Sequence, residues 1–175
     1  MSRYTDLSSF NPETNDLNAV IDTPKGSRNK YSYREKTGLF ELSGVLPAGA
    51  VFPFDFGFIP QTLGGDGDPL DVLVLMDEAA FVGCIVPARL LGVIEAKQTE
   101  KGNTVRNDRL IAVAVDSPAH ENLRSLEGLA EQRLHEIEHF FISYNEAKGK
   151  KFEPLGRFGP ERARALIETS APPRS

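Results

Sequence analysis

At 175 residues, 40% hydrophobic and 26% charged, the chain has the length and composition of one globular domain with a sizeable core, and no apolar run in it is long enough to span a bilayer. A net charge of −5 argues against the basic, often aromatic surface that nucleic-acid binding requires. The lone cysteine, Cys84, excludes an internal disulfide, and the opening Met1-Ser2-Arg3-Tyr4-Thr5-Asp6 has no apolar signal core, so a reducing cytoplasm is the expected setting.

Residues up to about Asp16 read as irregular. Segments of strand character follow at Ala19–Thr23, Lys30–Arg34 and Leu39–Leu42, the last two joined by the turn-like Glu35-Lys36-Thr37-Gly38, which together read as a β-meander. Further apolar runs at Val72–Met76, Ile85–Val93 and Leu110–Val115 are each bounded by Gly, Pro, Asn or Asp, and six or so strands suit a barrel or sandwich. Between Val82-Gly83 and Ile85-Val86, Cys84 reads as a small buried apolar residue. After Pro118, apolar residues recur every three to five positions at Leu126, Leu129, Leu134, Ile137, Phe141 and Tyr144, which predicts a helix from Ser125 to about Glu146. A short last helix is predicted from Pro160, a residue suited to a first helical position, to Glu168, and the polar tail from Ala171 reads as loose.

Gly64-Gly65-Asp66-Gly67-Asp68-Pro69-Leu70-Asp71 leads straight into Val72-Leu73-Val74-Leu75. Asp, Gly and Pro are disfavoured in regular sheet and Val and Leu suit a buried strand, so three carboxylates gather where a loop enters a strand. Asp-Gly and Asp-Pro are ordinary turn dipeptides, but three aspartates in six residues repel one another unless a cation joins them. A hard divalent ion such as Mg²⁺, held by one or two carboxylates together with substrate phosphates, satisfies that need and points to phosphate chemistry. A calcium loop does not fit, because counting from Asp66 the sixth residue is Asp71 and the twelfth Asp77, with an apolar strand between. His135-Glu136-Ile137-Glu138-His139 has the i, i+4 histidine spacing of a zinc helix, yet no third ligand is evident and the run reads as a solvated helix face.

The order of these features resembles the soluble family I inorganic pyrophosphatases, whose signature is the D-x-D-P-x-D cluster followed by an apolar strand. Asp22-Thr23-Pro24, Lys30-Tyr31, Phe52-Pro53, Phe56-Gly57-Phe58-Ile59-Pro60, Thr62-Leu63, Asp108-Arg109-Leu110-Ile111-Ala112-Val113 and His139-Phe140-Phe141 with Tyr144 extend the likeness over about residues 17–168 of a single 1–175 domain. The resemblance implies an α+β, mainly β fold: an OB-like closed β-barrel of about five to six strands with flanking C-terminal helices. It implies Mg²⁺-dependent hydrolysis of pyrophosphate, with Asp68 orienting or deprotonating the attacking water. By the same likeness Asp66, Asp71 and Asp68 face metal, joined by Asn107 or Asp108 according to the register of the Glu95–Arg109 loop, while Lys30, Arg109, Tyr144 and Arg106 contact phosphate. It further implies a symmetric homo-oligomer, a hexamer in the family pattern.

Several positions depart from that pattern. Ser32 stands where an acidic residue is usual, Gly44 where the family has an arginine, Phe52 and Phe56 where it has tyrosines, and Asn145 where a lysine follows the tyrosine. A lost hydrogen bond to a charged group costs about 1.5–3 kcal/mol. These changes keep two other readings open: a hydrolase of another, larger phosphoanhydride using space left by Gly44 and the two phenylalanines, and a phosphate- or metal-binding module without turnover.

Overall fold

The computed structural model describes residues 3–171, so the residues beyond Ala171 in the expected loose tail lie outside it. Among the described residues nine strands and two α-helices follow in chain order: β1 (Leu17–Thr23), β2 (Asn29–Arg34), β3 (Leu39–Val45), β4 (Asp55–Phe58), β5 (Asp71–Leu75), β6 (Ile85–Glu100), β7 (Asn103–Arg106), β8 (Arg109–Ala114), α1 (Glu131–Glu146), β9 (Lys151–Phe158) and α2 (Pro160–Thr169).

The uninterrupted apolar run of β5 buries both of its faces. Val72 and Val74 join Leu17, Ile21, Leu110 and Ala112 in one core layer, which Ala163 and Ile167 of α2 help to close. Leu73 and Leu75 join Phe52, Phe56 and Ile111 in a second, covered by Leu134, Ile137 and Phe141 of α1. Strands β1, β4, β5, β8 and β6 pair in that order, and β6 pairs back to β1, so five strands form the closed ring expected of an OB-like barrel. Closure brings backbones close together at Gly57, where a Cβ would lie 1.9 Å from the Val20 carbonyl oxygen, so only glycine fits between the flanking Phe56 and Phe58.

Two features of this sheet position the site. β5 and β8 are parallel, with Asp71 opposite Arg109, so both strands start at the same end of the barrel. β6 runs for 16 residues, pairing first with β1 and then with β7 and β9, and so carries its far half out over that same end.

Differences from the sequence expectations have local causes. β4 is only four residues long and follows Pro53, β7 lies in the polar hairpin read as a long loop, and β9 carries Pro154 and Gly156, so none has a clear strand signature. The first helix starts at Glu131 rather than Ser125, because Leu126–Gly128 form a 3-10 turn and Ala130 is extended at ψ 137°. Cys84, expected to be buried, is half-buried beside a glycine turn. Burial pushes its thiol up, away from the reactive thiolate form.

Candidate active site

The aspartate loop is held by its own backbone. Gly64 N–H donates to the Asp68 carbonyl at 2.7 Å, Gly67 N–H to the Gly64 carbonyl at 3.1 Å, and Gly67 takes φ +89°, which a glycine adopts without strain. Asp68 N–H donates to Asp66 Oδ1 at 3.1 Å, and Leu70 N–H donates to Thr62 Oγ1 at 2.9 Å where the loop joins β5. Burial and the neighbouring aspartate charge push the Asp66 carboxyl up, and the Asp71 carboxyl is raised by burial with Asp66 and Asp68 adding to it. The Asp68 carboxylate is exposed and makes no hydrogen bond or ion pair with the described residues.

Cationic groups stand on the other side of Asp71. Parallel pairing puts Arg109 against Asp71 Oδ2 in an ion pair, and the same guanidinium also donates to Asn107 Oδ1. Arg109 is 4% exposed, its guanidinium lies 4.8 Å from the Phe141 ring centroid and 5.3 Å from that of Phe152, and its Nε is buried without a hydrogen-bond partner. Lys30 on β2 donates to Asp22 Oδ1 on β1 at 2.8 Å and lies 4.9 Å above the Phe56 ring. Tyr144 on α1 packs against Phe52 and Phe140. Burial, then the Asp71 charge, pushes its hydroxyl up to about 12, so at neutral pH it keeps a proton to donate.

The buried Asp22–Lys30 pair makes a pH-dependent prediction. Desolvation pushes the Asp22 carboxyl up to about 6 despite the opposing pull of Lys30. An acid that holds its proton more tightly when folded costs stability as it ionises, here between its unfolded value of 3.8 and about 6. Lys30→Met removes the cation and moves that window upward. Urea unfolding is expected to show a loss of about 3–5 kcal/mol at pH 8, the cost of an unpaired buried charge, and a much smaller loss at pH 5 where the acid is protonated. Equal losses at both pH values would contradict the pairing.

The last loop arranges its side chains by strand alternation. Asn107 meets Arg109 on one side and donates to Gln98 Oε1 at 2.8 Å on the other. Asp108 Oδ1 instead accepts from Ala96 N–H at 2.9 Å and from Arg106 Nη2 at 3.0 Å, and Arg106 also pairs with Glu95 at 3.1 Å. Asp66, Asp71, Asn107, Asp108, Glu95 and Arg106 all line one cleft of about 330 Å³. Most of the expected site residues therefore divide into two groups that meet at Asp71, an oxygen-rich cleft and a cationic side formed by Lys30, Arg109 and Tyr144, while Asp68 does not line the cleft and stands exposed on the loop between Asp66 and Asp71. Within the cleft, Asn107 is tied to the Asp71–Arg109 pair, whereas Asp108 is engaged by Arg106.

The donors suit a hard divalent cation. Arg109 holds Oδ2 of Asp71, and Asp71 Oδ1 and Asp66 Oδ2 have no partner among the described residues, while burial first and then neighbouring loop aspartates, Asp68 for Asp66 and both Asp66 and Asp68 for Asp71, raise the two carboxyls. No three His, Cys, Asp or Glu side chains among the described residues form a self-sufficient metal cage. Oxygen donors completed by substrate phosphates are the usual arrangement for Mg²⁺.

The sequence departures divide in the same physical terms. Phe52 and Phe56 are 0% and 4% exposed within the aromatic core, where their rings pack beneath Tyr144 and Lys30. Gly44, across β3 from Lys30, has nothing nearer than 4.0 Å to an added Cβ, so space does open there. His135 pairs with Glu131 at 3.1 Å and is largely exposed, while His139 is 3.5 Å from Ser143. Sequence reading passed over Lys148, four residues after Tyr144 and donating to its hydroxyl, although the i, i+4 spacing from Tyr144 was the available signal.

Comparison with known proteins agrees with this geometry. The family model described as inorganic pyrophosphatase matches residues 19–172. An inorganic pyrophosphatase of Synechocystis is 37% identical over 157 residues, covering 90% of each chain, and one of Geobacillus stearothermophilus is 36% identical over 152 residues, covering 87% of this chain and 90% of its own. The crystal structure of the Thermus thermophilus inorganic pyrophosphatase superposes with a TM-score of 0.87 at 31% identity, covering 97% of both chains. A carboxylate loop facing buried cations, on a five-strand ring matched over nearly its whole length, thus places this chain in the inorganic pyrophosphatase family of phosphoanhydride hydrolases.

Proposed function

We propose that the chain hydrolyses pyrophosphate to two orthophosphates with Mg²⁺, and that Asp68 takes the proton of the attacking water. The observation that carries this reading is the unequal commitment of the three loop aspartates. Asp71 is tied to Arg109 and Asp66 to the loop backbone, while Asp68 has a free, exposed carboxylate beside them. Asp66 and Asp71, with Asn107 as a neutral oxygen donor, are the groups that would hold Mg²⁺; Asp108 joins them only by releasing Arg106. When bound, the cation supplies charge neutralisation of the phosphates and a lowered pKa for the water.

Pyrophosphate is a compact polyanion that repels an incoming nucleophile, so the protein's own work is to neutralise, orient and move one proton. Lys30, Arg109 and the protonated Tyr144 hold phosphate oxygens on the cationic side, and Arg106 stands at the cleft. Asp68 accepts a proton as the water oxygen bonds to phosphorus. The bridging P–O bond breaks in the same displacement, and its oxygen leaves with the second phosphate. A single unit spanning about residues 17–168, a cytoplasmic setting and a symmetric homo-oligomer complete the proposal. The exposed Leu39, Leu42 and Val45 on β3 supply apolar surface for self-association.

Substrate choice is tested by phosphate release with Mg²⁺ from pyrophosphate, tripolyphosphate and a nucleoside triphosphate. The expected result is clear preference for pyrophosphate by kcat/KM, as the match to inorganic pyrophosphatases over nearly the whole chain implies, despite the space at Gly44. Preference for either larger substrate would replace this reading with the diverged-hydrolase one.

A further inference from the structure

We infer that Lys148 is a phosphate-binding residue of this chain, acting with Tyr144 at the cationic side of the site. The inference deepens the hydrolase reading and rests on it for the identity of the anion. The local sequence sets the position. Tyr144 stands in the last turn of α1 and Lys148 four residues on, in the turn just past the helix end, which Gly149 at φ +73° completes with Lys148 and Lys150 N–H groups bonded to the Asn145 carbonyl. Asn145, the residue directly after the tyrosine, is 2% exposed and donates to the Phe141 carbonyl at 2.8 Å, so it is packed inward and cannot serve the site.

Charge balance supplies the chemical argument. Lys30 is paired with Asp22, Arg109 with Asp71 and Lys150 with Glu100 at 3.4 Å. Lys148 has no carboxylate partner among the described residues. Its ammonium lies 4.1 Å from the Tyr144 ring centroid and donates to the Tyr144 hydroxyl. That hydroxyl oxygen accepts from Lys148, so its own proton is directed elsewhere, and ammonium and phenol together present donors to one anion. Burial, then the charges of Lys150, Lys30 and Arg109, press the Lys148 ammonium down to about 8, with Asp71 the opposing influence. With no carboxylate paired to it among the described residues, the ammonium can take a bound phosphate oxygen as its counterpart through a charge-assisted hydrogen bond.

The test pairs steady-state kinetics on pyrophosphate with calorimetric binding of inorganic phosphate at pH 7, using Lys148→Met and Lys148→Arg. The expected result is a KM raised about ten-fold or more in Lys148→Met with kcat changed by less than about three-fold, a matching loss of phosphate affinity, and recovery of both in Lys148→Arg. Unchanged KM and phosphate affinity in Lys148→Met would overturn the inference. Equal loss in both variants would also overturn it, because a packing role gains nothing from the restored charge. If the wild-type chain binds phosphate but does not turn over pyrophosphate, the hydrolase reading fails, and the phosphate affinities still decide the role of Lys148.

Discussion

Asp68→Asn is expected to lower kcat on pyrophosphate by about 10²–10⁴-fold, the usual contribution of a positioned general base. The same change should leave stability within about 0.5 kcal/mol, the range of an ordinary surface substitution. Both halves follow from one fact: the Asp68 carboxylate has no partner among the described residues, so an amide of the same shape disturbs no contact there, while its proton-accepting capacity is gone. Rate and urea-unfolding measurements on the purified variant check the two halves separately. A variant that stays active would remove Asp68 from the chemistry. One that loses activity together with stability would mean that the carboxylate supports the loop.

Arg109→Leu is expected to remove a phosphate-holding group and, unlike Asp68→Asn, to bring a large loss of stability as well. Arg109 is buried beneath Phe141 and Phe152 and is the strongest influence lowering the Asp71 carboxyl against its desolvation. Without it, Asp71 keeps its burial and its aspartate neighbours and loses its main counter-charge. Removing one partner of a buried ion pair costs about 3–5 kcal/mol, which for a chain of this size lowers Tm by about 6–20 °C. The sign with pH follows from the raised Asp71 carboxyl. Its ionisation already costs stability as pH rises, and losing Arg109 enlarges that cost, so the deficit should grow on going from acid to neutral pH. Melting curves in the presence of chelator read this directly. A deficit that is the same at both ends of that range would mean that lost packing on the aromatic rings, rather than the ion pair, dominates.

What could be read from the sequence depended on how local each signal was. β5 was legible because an aspartate cluster followed by four apolar residues has one physical reading, a loop entering a doubly buried strand. The closed ring was foreseeable from strand number, but the parallel β5–β8 pairing that sets Arg109 against Asp71 is a long-range contact with no local mark. The same limit applies to Arg106. As a sequence it was a spare cation in a long hairpin, and only the fold brings it between Glu95 and Asp108. Strand alternation then separates Asn107 from Asp108, a distinction that depends on register by a single residue. Phe52 and Phe56 read in the sequence as positions lacking a hydroxyl; that their rings also belong to the core under α1, against Tyr144 and Lys30, is a tertiary fact with no local mark.

The most direct test of the account is phosphate release from pyrophosphate by the purified chain stripped of metal, followed through addition of Mg²⁺. The expected result is no turnover before addition and sustained multiple turnover after it, abolished again by chelator. Turnover that proceeds equally without the divalent ion, or none at any Mg²⁺ concentration while pyrophosphate still binds, would contradict a metal-dependent hydrolase built on Asp66, Asp68 and Asp71.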